Sequence, residues 1–171
     1  MRLAIDLAWR CPPSDTAYSV GAVIVGADGT ELSRGFSREN DSHMHAEESA
    51  LGKLAPDDPR LRGATMYSTL EPCSRRKSRP RSCSQLIIAA GIGRVVIAWR
   101  EPSLFVADCE GVELLERAGI AVTELPGLAG AAAAPNRHLA LLAERAVGVC
   151  EPPTQHLPRH PTAPAISSVR L

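Results

Sequence analysis

The chain has 171 residues, enough for one domain and a tail, and its 44% hydrophobic content is ordinary for a soluble globular fold. Nineteen Lys and Arg balance nineteen Asp and Glu, so bulk charge gives no support for a nucleic-acid partner. No run approaches a membrane span, the apolar N-terminal stretch is short and broken by Asp6, and the five cysteines are odd in number; these features argue against export and a disulfide framework and place the protein in the cytoplasm.

In chain order, Leu3, Ala4, Leu7 and Ala8 fall at helical spacing, which predicts a short helix over residues 2–10, ended by Cys11-Pro12-Pro13. Val20 to Val25, the turn Ala27-Asp28-Gly29-Thr30 and Glu31 to Phe36 predict a β-hairpin. A polar loop from Ser37 to Met44 leads to a predicted helix over 45–54, whose apolar face is Ala46, Ala50, Leu51 and Leu54. Thr65 to Leu70 is a strand, and Glu71-Pro72-Cys73 is expected to open another helix. Gln85 to Ala90 and Val112 to Ala118 are helices ended by Gly91 and Gly119. Arg94 to Ala98 and Ile120 to Leu125 are strands. Strands alternating with helices after an opening hairpin predict an α/β fold with a mixed sheet covered on both faces. A single domain is expected over 1–149, with a core at 16–125 and a helical, alanine-rich segment at 126–149 broken at Pro135. Residues 150–171 are proline-rich and read as extended or disordered.

Two segments carry chemistry. His45-Ala46-Glu47 opens a predicted helix, and Glu71-Pro72-Cys73 is followed, after nine intervening residues, by Cys83. His45, Cys73 and Cys83 make three good zinc ligands, and three protein ligands leave the fourth position for water, the arrangement of a catalytic rather than a structural site. Zinc brings the pKa of that water toward neutrality. Glu47, close to the metal without binding it, can move protons between water and substrate, the division of labour found in zinc deaminases. His-x-Glu alone is weak, and a lone buried cysteine is more often a small core residue. Order and context set this group apart, whereas Cys11, Cys109 and Cys150 lack such neighbours and read as ordinary cysteines.

Between the two candidate ligand cysteines, Arg75, Arg76, Lys77, Arg79 and Arg81 crowd one loop of a chain with no net charge. A solvated charged loop is one reading. A phosphate cradle at the rim of the site is the sharper one, because guanidinium groups suit phosphate recognition. His43, in the polar loop, is a candidate for the pocket lining.

Ser19 to Val25, His45-Ala46-Glu47, Ser68 to Cys73, Ala89 to Ile92, Glu101-Pro102 with Phe105-Val106, Gly111 and Ala118 to Ile120 resemble the cytidine-deaminase superfamily, and within it the riboflavin-pathway pyrimidine deaminases. The likeness covers about residues 16–125. The Pro-Cys-x-x-Cys spacing of cytidine deaminases and nucleic-acid editors is absent, because position 76 is Arg. The wider gap is similar to that of the fungal-type enzymes, as are Arg76 and Ser78. Ser82 stands where the family usually has Pro, and Ala17-Tyr18-Ser19 where the bacterial enzymes have Asn-Pro.

The resemblance implies a three-layer α/β/α sandwich around a five-stranded mixed sheet, a homodimer or higher homo-oligomer, and deamination of a phosphorylated diaminopyrimidine in riboflavin biosynthesis. It implies Zn2+ on His45, Cys73 and Cys83, with Glu47 as the proton carrier. Arg76 is the first candidate for the phosphate, with Ser78, Arg75, Ser19 and His43 as further substrate-binding candidates. Three other readings remain: a deaminase of another small base, nucleoside or nucleotide, a zinc-bound module without catalysis, and, more weakly, RNA editing.

Overall fold

The structure is a computed structural model and describes residues 1–101 and 109–139. Helix α1 spans Arg2–Ala8. Strands β1 (Gly21–Val25) and β2 (Glu31–Phe36) form the hairpin, and α2 (Ala46–Leu51) follows. Then come β3 (Thr65–Ser68), α3 (Cys83–Ala90), β4 (Arg94–Ile97), α4 (Gly111–Arg117), β5 (Ala121–Glu124) and the short α5 (Ala129–Ala133). The strands form one sheet in the order β2-β1-β3-β4-β5. β1 runs antiparallel to both β2 and β3, while β3, β4 and β5 are parallel, so the sheet is five-stranded and mixed as expected.

Alternation along β1 shows how the layers arise. Ala22 and Ile24 point into the main core, with Ala46 and Ala50 of α2, Ile87 of α3, and Val112 and Leu115 of α4. Val23 points the other way and packs on Ala4 and Leu7 of α1. Helices therefore cover both faces. Gly21 permits the approach of α1, since a Cβ there would lie 2.0 Å from the Ala4 carbonyl oxygen. Register fixes which loops meet. Gly21 faces Phe36, Ala22 faces Ser68, and Ser68 faces Ile97, so the start of β1 and the ends of β2, β3 and β4 share one edge.

Several expectations need correction. Glu71-Pro72-Cys73 does not open a helix. The chain from 69 to 82 has no regular element, and α3 begins at Cys83 itself. Pro72 contributes no N–H, and Glu71 and Cys73 use their backbone groups elsewhere: Glu71 N donates to Trp99 O (2.9 Å) and Cys73 O accepts from Ser84 N (3.2 Å). The helix expected over 45–54 stops at Leu51, with Gly52 as its cap. The segment from 126 is broken as expected near Pro135, but into single 3-10 turns at Pro126–Leu128 and Ala134–Asn136 around α5. Its second half, the tail at 150–171 and Phe105-Val106 lie outside the described residues.

Candidate active site

The shared sheet edge carries a cavity of about 820 Å³, whose lining includes His45, Glu47, Cys73, Glu71, Glu101 and Arg38. His45 immediately precedes α2, and its backbone N–H donates to Glu48 Oε2 (3.4 Å). Cys73 sits in the loop after β3, and Cys83 is the first residue of α3. Two sets of bonds fasten that loop. Cys83 N donates to the Cys73 sulfur (3.3 Å), and Ser84 Oγ donates to Pro72 O (3.1 Å). Gly111, at the start of α4, lies so close that a Cβ would fall 1.9 Å from the Pro72 carbonyl oxygen. The Glu71 carboxylate accepts from Val112 N (3.0 Å) and Glu101 N (3.2 Å), so this buried acid organises backbone.

His45, Cys73 and Cys83 thus converge, with their ligand atoms all within 4.8 Å of one another. His45 Nδ1 lies 3.6 Å from the Cys73 sulfur and 3.4 Å from the Cys83 sulfur. A tetrahedral zinc at ordinary bond lengths sets such N···S separations at about 3.6 Å, so the donor set fits the ion in both chemistry and spacing. All four described cysteines are free thiols. Hydrogen bonding from Cys83 holds the Cys73 thiol well below its usual range, despite burial. Burial works against a charged His45, but the adjacent Cys73 outweighs it and raises the imidazole. Cys73 is therefore ready to bind as a thiolate.

Glu47 is 3% exposed, lines the same cavity, and its Oε1 accepts from Ser68 Oγ (2.9 Å). Burial pushes its carboxyl up. Such a group takes and returns protons more readily than a solvated carboxylate. Glu101 on another wall is held up at about 7, chiefly by burial. Tyr18 packs edge-on against Trp99, with ring centroids 5.6 Å apart.

The basic loop divides in two. Arg76 has a side chain only 3% exposed, and its Nη1 lies 2.8 Å from Glu48 Oε2 in an ion pair without hydrogen-bond alignment. Its Nη2 donates to the His43 carbonyl, and its Nε to Ser78 Oγ (3.1 Å). Arg79 pairs with Glu48 (3.0 Å) and with Asp41. These two arginines tie the loop to the segment before α2. Arg75 and Lys77 line the cavity, and the described residues offer neither a carboxylate nor a hydrogen-bond partner. Arg76 lines the cavity as well, but Glu48 offsets its charge, whereas no described carboxylate offsets Arg75 or Lys77. His43 and Ser78 line the cavity as expected, but Ser19 is not among the lining residues: its hydroxyl accepts from Arg38 Nη2 (2.9 Å).

Sequence reasoning missed Arg38, Glu101 and Tyr18. Glu101 belonged to a motif that was visible, but its direction was not. Arg38 carried no signal beyond its place in a polar loop. Of the other cysteines, Cys11 donates to Val20 O (3.4 Å), Cys109 accepts from Ser74 Oγ (3.9 Å), and Cys150 lies outside the described residues.

Residues 1–99 match the family described as the cytidine and deoxycytidylate deaminase zinc-binding region. A Schizosaccharomyces pombe protein named diaminohydroxyphosphoribosylamino-pyrimidine deaminase is 48% identical over 126 residues, covering 72% of this chain and 31% of that protein. The chain spans about a third of the length of the curated relatives it matches. Among solved structures, Acinetobacter baumannii RibD superimposes with a TM-score of 0.69 and 33% identity, over 81% of this chain and 37% of that one. Aspergillus oryzae Rib2 deaminase, as a C-terminal deletion mutant, gives a TM-score of 0.69 at 27% identity, over 86% of this chain and 96% of that one.

Proposed function

Since the chain belongs to the cytidine and deoxycytidylate deaminase zinc-binding family, we propose that it is a hydrolytic deaminase of a phosphorylated diaminopyrimidine in riboflavin biosynthesis. The observation that carries this reading is the convergence of His45, Cys73 and Cys83 beside the buried Glu47 in one cavity. The substrate class is supported by the name of the 48% identical relative and by Arg75 and Lys77 on the cavity wall, which pair with no carboxylate among the described residues.

His45, Cys73 and Cys83 would hold zinc, which supplies a Lewis acid that brings the pKa of water toward neutrality. Glu47 accepts a proton from the attacking water and delivers it to the ring nitrogen next to the carbon under attack. The water oxygen bonds to the carbon that bears the exocyclic amino group. Glu47 then carries the hydroxyl proton to the amino nitrogen, the C–N bond breaks, and ammonia leaves as the ring carbonyl forms. Ser68, through its bond to Glu47 Oε1, keeps the carboxylate aimed into the cavity. Arg75 and Lys77 hold the phosphate away from the reacting ring.

No described helix is long and apolar enough to cross a membrane. Free thiols in a metal-ligating role fit the reducing cytoplasm. Assembly as a homodimer or higher homo-oligomer is part of the same proposal, and sedimentation of the full chain tests it.

The test of the function is ammonia release from the phosphorylated diaminopyrimidine, its dephosphorylated form, cytidine and dCMP. The phosphorylated diaminopyrimidine should have the highest kcat/KM. Arg75→Ala should lower that value about 10–100-fold, because a hydrogen bond to a charged group contributes about 1.5–3 kcal/mol, with much less effect on the dephosphorylated compound. Equal kcat/KM with and without phosphate would shift the reading to a free base or nucleoside.

A further inference from the structure

One side of the cavity has no regular structure. Residues 12–19 contain neither helix nor strand, yet Pro13, Ser14, Thr16, Ala17 and Tyr18 all line the cavity. Such a stretch samples many shapes unless something outside it holds it. Three side chains far away in sequence do so.

Arg38 is the first. Its Nε (2.9 Å) and Nη2 (2.7 Å) both donate to Pro12 O. Nη1 donates to Tyr18 O (2.9 Å) and Ala17 O (3.4 Å), and Nη2 also reaches Ser19 Oγ (2.9 Å). Those contacts engage all three nitrogens of the guanidinium, every one on this segment. Arg38 also lines the cavity. Arg38 also has a φ of 63°, the left-handed region, alone among the described non-glycine residues. A bulky side chain enters that region at a cost and stays only where its surroundings over-determine it.

Asn136 is the second. It is buried, its Oδ1 accepts from Ser19 N (2.6 Å), and its Nδ2 donates to Ser19 O (3.0 Å). His138 Nε2 lies 2.8 Å from Ser14 O and supplies the third anchor. Both residues come from the segment after β5, outside the stretch that holds the metal ligands.

We propose that Arg38 and Asn136 are positioning residues that hold the 12–19 wall in its substrate-binding shape, which makes the segment after β5 part of the site. The substrate half of this proposal rests on the deaminase reading; the clamp itself does not. Loss of either anchor leaves the ligands and Glu47 in place and loosens only the wall. The wall then pays its ordering cost on binding, which weakens affinity rather than slowing the chemistry.

The test uses the full zinc-loaded chain with Arg38→Met and, separately, Asn136→Ala. Hydrogen exchange should accelerate in peptides covering 12–19 and stay unchanged in those covering α2 and α3, with zinc content unchanged. With the phosphorylated diaminopyrimidine, KM should rise about tenfold, from the ordering cost the loosened wall bears on binding, while kcat stays close to wild type. Unchanged exchange at 12–19 in both variants would overturn the clamp. Faster local exchange with an unchanged KM would overturn the binding role. Faster exchange throughout the domain together with zinc loss in both variants would reduce the two residues to general stabilisers. If the wild-type chain releases no ammonia from this compound, the deaminase reading and the substrate half fall together, and exchange alone decides the clamp.

Discussion

The two sides of the cavity are built by opposite means. On the ligand side, His45 leads into α2, Cys83 begins α3, and Cys73 is pinned by a backbone N–H from Cys83 only ten residues away. Local structure sets the positions of the reacting groups. On the other side, residues 12–19 have almost no local structure and are held by partners up to 124 residues away. The difference separates two tasks. Metal and proton chemistry needs fixed geometry, and short-range bonds at element ends give it cheaply. A substrate wall needs a shape, and long-range side-chain bonds can define one without a helix or strand.

The most severe way to break the ligand side is to remove a ligand. Cys83→Ala should leave purified protein with little zinc, as read by metal analysis, and abolish ammonia release. Cys83 is fully buried at the start of α3, and no further Cys or His completes the cluster among the described residues. Full zinc occupancy in that variant would sink the ligand assignment. The loss should exceed that of any change on the opposite wall, because it removes the Lewis acid and the water it activates together.

Glu47→Gln separates proton transfer from metal binding. The amide keeps the shape and can still meet Ser68, but it cannot cycle a proton. General acid–base catalysis contributes about 10²–10⁴-fold, and on the proposed route this carboxylate acts at more than one step, so kcat should fall at least that far while zinc content stays near normal. If Glu47→Gln lost zinc as readily as His45→Ala, Glu47 would be a ligand. The contrast with Arg38→Met is then in the kinetic constants themselves: kcat responds on one side of the cavity, KM on the other.

The same contrast explains what could be read in the sequence. The hairpin was legible because Val20 to Val25 is an apolar run rich in β-branched residues and Asp28-Gly29 marks the turn, with Gly29 at a φ of 83°. The cluster of His45, Cys73 and Cys83 was legible because His45 and Cys83 stand at helix starts and Cys73 follows a distinctive Glu71-Pro72. The helix expected at Glu71-Pro72-Cys73 was not there, because tertiary bonds from Trp99, Ser84 and Val112 capture that stretch as a loop. The overlong second helix overlooked Gly52 as a stop. Arg76 looked like a free phosphate ligand because nothing in sequence shows that Glu48 neutralises it. Arg38 and Asn136 were illegible for the same reason: their partners are backbone carbonyls and amides, which carry no side-chain signature.

The smallest expected effect lies at the joint between the basic loop and α3. Ser82 caps this helix. Its Oγ accepts from Gln85 N (3.3 Å), while Gln85 Oε1 accepts from Ser82 N (2.9 Å), a reciprocal capping box directly before Cys83. The backbone here has a φ of −75°, close to the angle a proline ring imposes, but a proline would lack the N–H that Gln85 accepts from. This chain fixes the start of α3 by hydrogen bonding instead. Ser82→Ala removes the acceptor and should cost about 1 kcal/mol, a Tm lower by about 2–4 °C. Ser82→Asp keeps an acceptor and should stay close to wild type. Zinc content should be preserved in both, because Cys83 keeps its backbone bond to the Cys73 sulfur. A Tm unchanged by Ser82→Ala would show that zinc and the tertiary bonds of Ser84 alone set the start of α3. A Tm loss in Ser82→Ala with no change in KM would confine the cap to the ligand side and keep substrate affinity with the opposite wall.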